Sequence, residues 1–292
     1  MPLPKILALI VIVSMMLGAG LQVDWTRMRA IFGQLGLQAR AALANFILVP
    51  LFAFLVVRYF NVTSDVVVGI LLMAMAPGAP FLANVGGRKA GGSLSFALEI
   101  MFLFAVVSLI TIPITAALIL PPDAQAHAPA SKFLTTLVLF QLIPLLIGAL
   151  VGPRLSDNAR SAMIRVLNLI FVLAALAVVI VVFAKIVHVF AATYGAGHLL
   201  IILTIALFSG IVGWLLGGPN REYRHTLTNG TMLRNIGLGL MIGTTSFADS
   251  LTVPAVVVYF IITFVLANLY NIVTKRISAR EGTAPLPRGA HP

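Results

Sequence analysis

The sequence contains no cysteine among its 292 residues, and it contains few charged residues of either sign. The missing thiols exclude disulfide bonds, thiolate metal sites and a cysteine nucleophile. Charged residues make up 9% of the chain and hydrophobic residues 60%, which is more apolar surface than one soluble core of this size can bury. The solvent of this chain must therefore be membrane lipid.

Acidic residues are scarcer than basic ones, since 8 Asp and Glu face 19 Lys and Arg and leave a net charge of +11. A nucleic-acid-binding protein would gather such bases on one polar surface with stacking aromatics. Here they are scattered through short loops, so nucleic acid is not an expected partner. The sequence also offers no phosphate-binding glycine loop with a lysine and no metal-ligand spacing among its five histidines. A membrane enzyme is the alternative from another class, but no catalytic constellation appears, so we do not expect an enzyme.

Long apolar runs dominate what remains. A helix needs about 20 apolar residues to cross a hydrocarbon core, and nine runs are long enough. They lie at about 5–21, 40–57, 66–87, 92–119, 133–152, 163–187, 198–217, 226–247 and 252–273. Continuous runs separated by short charged loops exclude a β-barrel, whose strands would alternate. The predicted fold class is an all-α polytopic membrane protein with nine transmembrane helices.

The basic residues divide unequally between alternate loops, and loops rich in Lys and Arg stay cytoplasmic. Fourteen lie on one side and four on the other. The richer set is Arg27, Arg29, Arg40, Arg88, Lys89, Arg154, Arg160, Arg165, Arg221, Arg224, Lys275, Arg276, Arg280 and Arg288, and the poorer set is Lys5, Arg58, Lys132 and Lys185. This predicts an integral protein of the cell (inner) membrane with its N-terminus outside and its C-terminus in the cytoplasm.

The first run has a second interpretation, because Lys5 followed by apolar residues also resembles a secretory signal. No convincing small-x-small cleavage site precedes Asp24, and the charge asymmetry requires that the segment stays. At the other end, residues 276–292 are rich in Arg, Gly and Pro and are expected to form a disordered cytoplasmic tail. Residues 1–275 then form a single transmembrane unit.

Two charged residues fall within predicted spans away from their ends, Glu99 in the fourth and Arg234 in the eighth. A charge at that depth costs at least about 2.5 to 3.5 kcal/mol, so such residues face a cavity or one another. We therefore expect an ion pair between Glu99 and Arg234. The pair would either fasten two helices or lie in a substrate or ion path. The second interpretation is favoured, since buried pairs add little net stability.

Helix breakers interrupt two of the predicted spans. The third contains Pro77-Gly78-Ala79-Pro80 followed by Asn84, and the eighth contains Asn229-Gly230-Thr231 followed by Arg234-Asn235. Proline and glycine open the hydrogen-bond ladder. Two discontinuous segments in corresponding halves of a chain indicate a transporter site, because opened helix ends present amides and carbonyls to substrate and ion.

These motifs, in this order, resemble the bile acid:sodium symporter family over roughly residues 5–275. The matching segments are Met16-Leu17-Gly18-Ala19-Gly20-Leu21, Asn45 with Val49-Pro50-Leu51, Ala76-Pro77-Gly78 through Asn84, Leu94-Ser95 with Pro113, Pro144 with Gly148, and Arg234-Asn235-Ile236-Gly237-Leu238. The resemblance implies inverted repeats, with a panel domain (about 5–21, 133–152 and 163–187) and a core domain (about 40–119 and 198–273). Two discontinuous crossing helices in the core would bind sodium, and an organic anion would bind between the domains.

The departures from the family pattern concern the sodium sites. Where sodium-coupled members carry a Glu, and a Gln four residues later, this chain carries Gly230 and Arg234. An acid, Glu99, stands where the family has a hydroxyl residue, four residues after Ser95. We infer that the guanidinium stands in for the second sodium. Coupling would then be weakened to one sodium at Asn84, Ser95 and Glu99, replaced by a proton on Glu99, or lost.

The predicted function is a secondary transporter that moves a small organic anion by alternating access. The alternatives are a sodium-coupled symporter of the usual family type and a membrane sensor that does not transport. Substrate-binding candidates are Pro77, Gly78, Asn84, Arg234 and Asn235. Ion-binding or coupling candidates are Asn45, Asn84, Ser95, Glu99, Gly230, Thr231 and Arg234. No cofactor is expected beyond one sodium ion or a coupled proton.

Overall fold

The structure is a computed structural model, and it describes residues 2–23, 25, 34–62, 64–78, 91–193, 196–247 and 250–280. Within these ranges the regular structure is entirely helical. The helices are α1 Leu3–Gly20, α2 Leu35–Tyr59, α3 Ser64–Met75, α4 Leu94–Ile119, α5 Pro122–His127, α6 Ala130–Arg154, α7 Asp157–Thr193, α8 Ala196–Leu216, α9 Arg221–Met232, α10 Ile236–Ser246 and α11 Thr252–Arg280.

Seven of the described helices are long and apolar enough to cross a membrane, namely α1, α2, α4, α6, α7, α8 and α11. Each overlaps one predicted span, so the chain is an all-helical polytopic membrane protein. The two remaining predicted spans coincide with shorter helices. The third, 66–87, begins with α3, and its residues 79–87 lie outside the described ranges. The eighth, 226–247, is divided between α9 and α10. The count of nine crossings stays a prediction.

The outer faces of several long helices carry large apolar side chains with nothing packed over them. On α7, Leu169, Leu173 and Ile180 are each more than half exposed, and on α4 Ile110 and Leu118 are 68% and 73% exposed. In water, stripes of this size would be sites of association. Here they face the lipid that the composition requires.

Two helices contain a π-helical turn just before a proline. In α2 it covers Leu43–Leu48 and precedes Pro50, and in α6 it covers Val138–Leu142 and precedes Pro144. A proline inside a helix lacks an amide donor and crowds the carbonyl four residues earlier. A widened turn relieves that crowding and changes the direction of the side chains within it. Asn45 and Gln141, both buried, lie in these turns.

Small residues bring α1 and α6 into backbone contact. A Cβ atom added to Gly20 would collide with the carbonyl oxygen of Leu145, and one added to Gly148 would collide with that of Leu17. α1 also packs along α7 and against α10. Glycine at such crossings lets helices approach closely enough for van der Waals contact between their backbones.

A second group of contacts joins the helices around the interrupted span. α9 packs along α8, and α3 packs along α11, where a Cβ atom on Gly69 would lie 2.6 Å from the carbonyl oxygen of Thr252. α11 itself continues to Arg280, five residues into the predicted tail.

Candidate functional site

The interruption in the eighth predicted span lies at Leu233–Asn235, between α9 and α10. Asn235 closes the start of α10, because its Oδ1 accepts a hydrogen bond from the amide of Leu238 at 3.1 Å. Such a cap satisfies one of the amides that a helix start leaves unpaired. Arg234 therefore projects from a non-helical stretch rather than from the side of a continuous helix.

The segment that follows α3 meets α9 beside this break. A Cβ atom added to Gly78 would lie 2.8 Å from the carbonyl oxygen of Gly230. Only glycine permits an approach this close without displacing the backbone. The structure thus brings together two of the predicted site residues, Gly78 and Gly230, one from each interrupted segment. Asn84 lies outside the described residues, and Pro77 immediately precedes Gly78.

Arg234 is fully buried and is held by α2. Its Nη1 donates to Asn45 Oδ1 at 3.1 Å and approaches the Asn45 carbonyl oxygen at 3.4 Å. The amide nitrogen of Asn45 donates to the carbonyl of Ala41 at 3.1 Å. That bond turns the side-chain oxygen of Asn45 toward the guanidinium. Two neutral oxygens of one residue therefore hold one end of the cation.

The predicted ion pair between Glu99 and Arg234 is wrong. The hydrogen bonds of Arg234 within the described ranges go to Asn45, whereas the Oε2 atom of Glu99 accepts from Gln38 Nε2 at 3.4 Å. Arg234 leaves the chain at the break and reaches α2, while Glu99 is half-buried on the second turn of α4. Arg234 is instead bound by the carbonyl and amide oxygens of Asn45. These oxygens carry no formal charge, so a count of charged residues could not identify them.

The opposite edge of the guanidinium has no hydrogen-bond partner among the described residues. Its Nε and Nη2 are both unpaired and inaccessible to solvent. The hydroxyl of Tyr259, from α11, lies beside the guanidinium of Arg234 and near Ser209, but it forms no well-formed hydrogen bond in the part of the chain that the structure describes. Buried donors of this kind are rare and costly, so this edge is the least satisfied place in the described interior.

Asn235 connects the break to two further helices. Its Nδ2 donates to Gln141 Oε1 at 3.3 Å, and Gln141 Nε2 donates to Ser108 Oγ at 2.7 Å and to the Ala105 carbonyl at 3.0 Å. Both π-helical turns thus supply a buried amide side chain to the break, Asn45 to Arg234 and Gln141 to Asn235. Buried polar networks of this sort fix the relative position of their elements.

The remaining candidates are placed differently. The Thr231 hydroxyl lies 2.8 Å from the carbonyls of Ser209 and Leu227, which puts it in the contact between α8 and α9. Ser95 and Glu99 are one turn apart on α4 and share a face of that helix. The start of α4 is tied to α9, because the amide of Ser93 donates to Thr226 Oγ1 at 2.8 Å.

Three residues of this region escaped the sequence analysis, namely Gln38, Gln141 and Tyr259. Gln141 did carry a signal, since it is the one polar side chain in the apolar run 137–151. A cavity of about 740 Å³ lies elsewhere, between the ends of α2 and α4 and the start of α3. Its lining, which includes Arg58, Asn61 and Gln125, shares no residue with the break.

Apolar helices with lipid-facing stripes, an interrupted helix and a buried cation at the interruption define a polytopic membrane protein of the transporter type. The chain belongs to the sodium bile acid symporter family, which it matches over residues 9–193. The family is one of transporters. The chain is also similar to the P3 protein of Homo sapiens, with 30% identity over 118 residues. That match covers 39% of this chain and 24% of the human protein, so it spans about a quarter of the relative's length.

Proposed function

We propose that this chain is a secondary transporter that moves a small organic anion by alternating access, with sodium coupling weakened or lost. Sodium-coupled members of the family carry a Glu and a Gln at the positions of Gly230 and Arg234. In this chain the Glu is missing, and a permanent cation stands four residues later. The guanidinium of Arg234 supplies the positive charge that the second sodium ion supplies in those members.

The contact between Arg234 Nη1 and Asn45 Oδ1 carries this proposal. Asn45 is one of the expected ion ligands, and its oxygens are already occupied by the guanidinium. A sodium ion placed about 4 Å from that charge would be repelled by about 4 kcal/mol at an effective dielectric constant of 20. A repulsion of that size lowers the affinity for the ion roughly a thousandfold. The residues present therefore do not suit sodium at this second location.

The first cation location of this proposal is on α4. Ser95 and Glu99 place a hydroxyl and a carboxylate on one face of the helix, and hard oxygen ligands of this kind suit sodium. Asn84 would complete this set. The alternative coupling ion is a proton on Glu99. Either choice leaves at most one coupled cation.

The packing of two groups of helices supports alternating access. α6 and α7 each pack on α1, and the interrupted helix packs with α8 and α11. The hydrogen bond between Asn235 and Gln141 and the contact of α1 with α10 join these two groups. Relative movement of the groups would open and close the break, as in transporters that rock one bundle against another.

The test is the affinity for cholate or another organic anion, measured calorimetrically on the purified protein with sodium exchanged for choline at constant ionic strength. We expect the affinity to change less than about threefold, or to follow a first-order dependence on sodium. A steep, second-order dependence would restore the usual symporter of the family and remove the proposed role of Arg234.

Two further measurements decide between the alternatives. Uptake into proteoliposomes distinguishes a transporter from a sensor, because a sensor binds the anion without accumulating it. If Glu99 carries the coupled proton, uptake depends on pH in the wild type and loses that dependence in Glu99→Gln. Retention of the same pH dependence in Glu99→Gln would place the coupled proton elsewhere.

A further inference from the structure

The unpaired edge of Arg234 has a defined shape. In a guanidinium, Nε and Nη2 point their hydrogens to the same side, and the two parallel N–H bonds match the two oxygens of a carboxylate. Nη1, which lies on the other side, is the nitrogen held by Asn45. Asn45 thus fixes the cation from behind and leaves this two-donor fork free of partners among the described residues.

The charge of Arg234 also has no counterion among the acidic residues that the structure describes, because its hydrogen bonds go to the neutral oxygens of Asn45. A buried cation without a counterion is strongly unfavourable. The free energy of the site is therefore lowered by an anion that brings one negative charge and two acceptors.

The hydroxyl of Tyr259 lies beside the same edge of the guanidinium and belongs to a fully buried side chain, and the two groups do not form a well-formed hydrogen bond with each other. It can donate one hydrogen bond to an oxygen seated in the fork. Single charge, planar geometry and three converging donors favour a carboxylate. A phosphate or sulfate would bring a second negative charge with no partner, and a sulfonate has weaker acceptor oxygens.

We infer that Arg234 Nε and Nη2, with the Tyr259 hydroxyl, form the subsite that holds the carboxylate of the transported anion, and that Asn45 is the positioning residue for this fork. The transport of this carboxylate rests on the proposed function, whereas its binding at the subsite does not. Because the guanidinium is closed off in this conformation, the carboxylate reaches it when the helices around the break separate.

The experiment measures binding, in sodium-free choline buffer, by calorimetry and by the shift of the thermal unfolding midpoint of the full-length protein. The probes are acetate, benzoate and cholate, each compared with its neutral amide, and cholate is also compared with the sulfonate taurocholate. We expect carboxylates to stabilise the protein, amides to have no effect and the sulfonate to bind more weakly. Equal binding of an amide or a sulfonate, or failure of all three carboxylates to bind, would overturn the inference.

Variants assign the effect to the fork. Arg234→Lys keeps the charge and removes the fork, so carboxylate affinity falls tenfold or more, roughly the worth of one charge-assisted bond. Tyr259→Phe lowers affinity by about threefold to tenfold. The matched controls are Arg224→Lys on α9 and Tyr270→Phe on α11, whose hydroxyl contacts His225 instead, and they leave affinity unchanged. Wild-type affinity for carboxylates in both Arg234→Lys and Tyr259→Phe would contradict the proposed subsite.

If Arg234→Lys does not fold, judged by its elution and unfolding without ligand, Tyr259→Phe against Tyr270→Phe decides alone. The dependence of anion affinity on sodium tests the proposed function, and it is interpreted separately from the effects of these variants. Carboxylate binding that depends on Arg234 but also rises steeply with sodium contradicts the proposed function and keeps the subsite. If the affinity depends weakly on sodium and carboxylates bind no better than their amides, the subsite is contradicted and the proposed function is kept.

Discussion

Arg234 has an unusual set of neighbours for a cation at membrane depth. An arginine there costs several kcal/mol unless its donors are satisfied, and Asn45 satisfies one of its three nitrogens. A residue that served only to fasten helices would have all its donors paired, since half-satisfied polar groups are worse than apolar packing. The incomplete pairing of Arg234 is therefore evidence of a binding role.

A double-mutant cycle tests which residue is the partner of Arg234. In Asn45→Ala with Arg234→Gln, the double variant should be destabilised less than the sum of the single ones, with a coupling of about 1.5 to 3 kcal/mol for a hydrogen bond to a charged group. In Glu99→Gln with Arg234→Gln the effects should add within about 0.5 kcal/mol. Denaturant unfolding in detergent gives both values. A large coupling in the second cycle would restore the ion pair that the structure lacks.

What the sequence could predict at this scale was the importance of Arg234, because it is the one base that lies far from the ends of a predicted span. Its partner could not be predicted. Formal charge suggested Glu99, whereas the actual acceptors are the amide and carbonyl oxygens of Asn45, which every asparagine possesses. Tyr259 could not be predicted as a site residue for a similar reason, because an aromatic side chain in an apolar run ordinarily packs in the core.

At the scale of helices, apolar length located the seven long described helices to within seven residues at either end. Pro77, Gly78 and Gly230 predicted interruptions, which the structure places after Met75 and at Leu233–Asn235. The π-helical turns were not predicted. Pro50 and Pro144 lie inside predicted spans, but proline can equally kink a helix or start one. Which outcome occurs depends on the packing around the turn. These turns orient Asn45 and Gln141, so the geometry of the break rests on a feature that sequence reasoning left open.

The crossing of α1 and α6 offers a prediction about elements. Gly20→Ala and Gly148→Ala each place a methyl group against a carbonyl oxygen of the facing helix, so each should lower the free energy of unfolding by about 1 to 3 kcal/mol. Gly36→Ala, in α2, is the control, because a Cβ atom there meets nothing within 4 Å. It should leave stability unchanged or slightly higher. Thermal unfolding of the three variants compares them directly, and equal midpoints would mean that the helices do not cross at these glycines.

At the scale of the whole molecule, the composition alone required lipid as the solvent, and the lipid-facing stripes of α4 and α7 agree with it. The relation between the two halves was suggested by resemblance rather than by physical argument. No pattern in one helix states which other helix it will pack against, because lipid-exposed and buried apolar faces use the same residues. The contacts of α1 with α6, α7 and α10 had to be read from the structure.

Membrane orientation is the property of the whole molecule that remains to be measured. Fourteen basic residues lie in one set of alternate loops and four in the other, and translocation disfavours the richer set. A reporter fused after Lys275 should therefore be cytoplasmic, and one inserted near Gln125, in the short helix α5, should be external. Replacing Arg27, Arg29 and Arg40 by neutral residues should weaken this orientation, whereas neutralising Arg58 should strengthen it. The two reporters should lie on opposite sides, because five predicted spans, an odd number, separate Gln125 from Lys275. Finding both reporters on one side would remove the nine-span topology, and the proposed correspondence between its two interrupted spans would be lost with it.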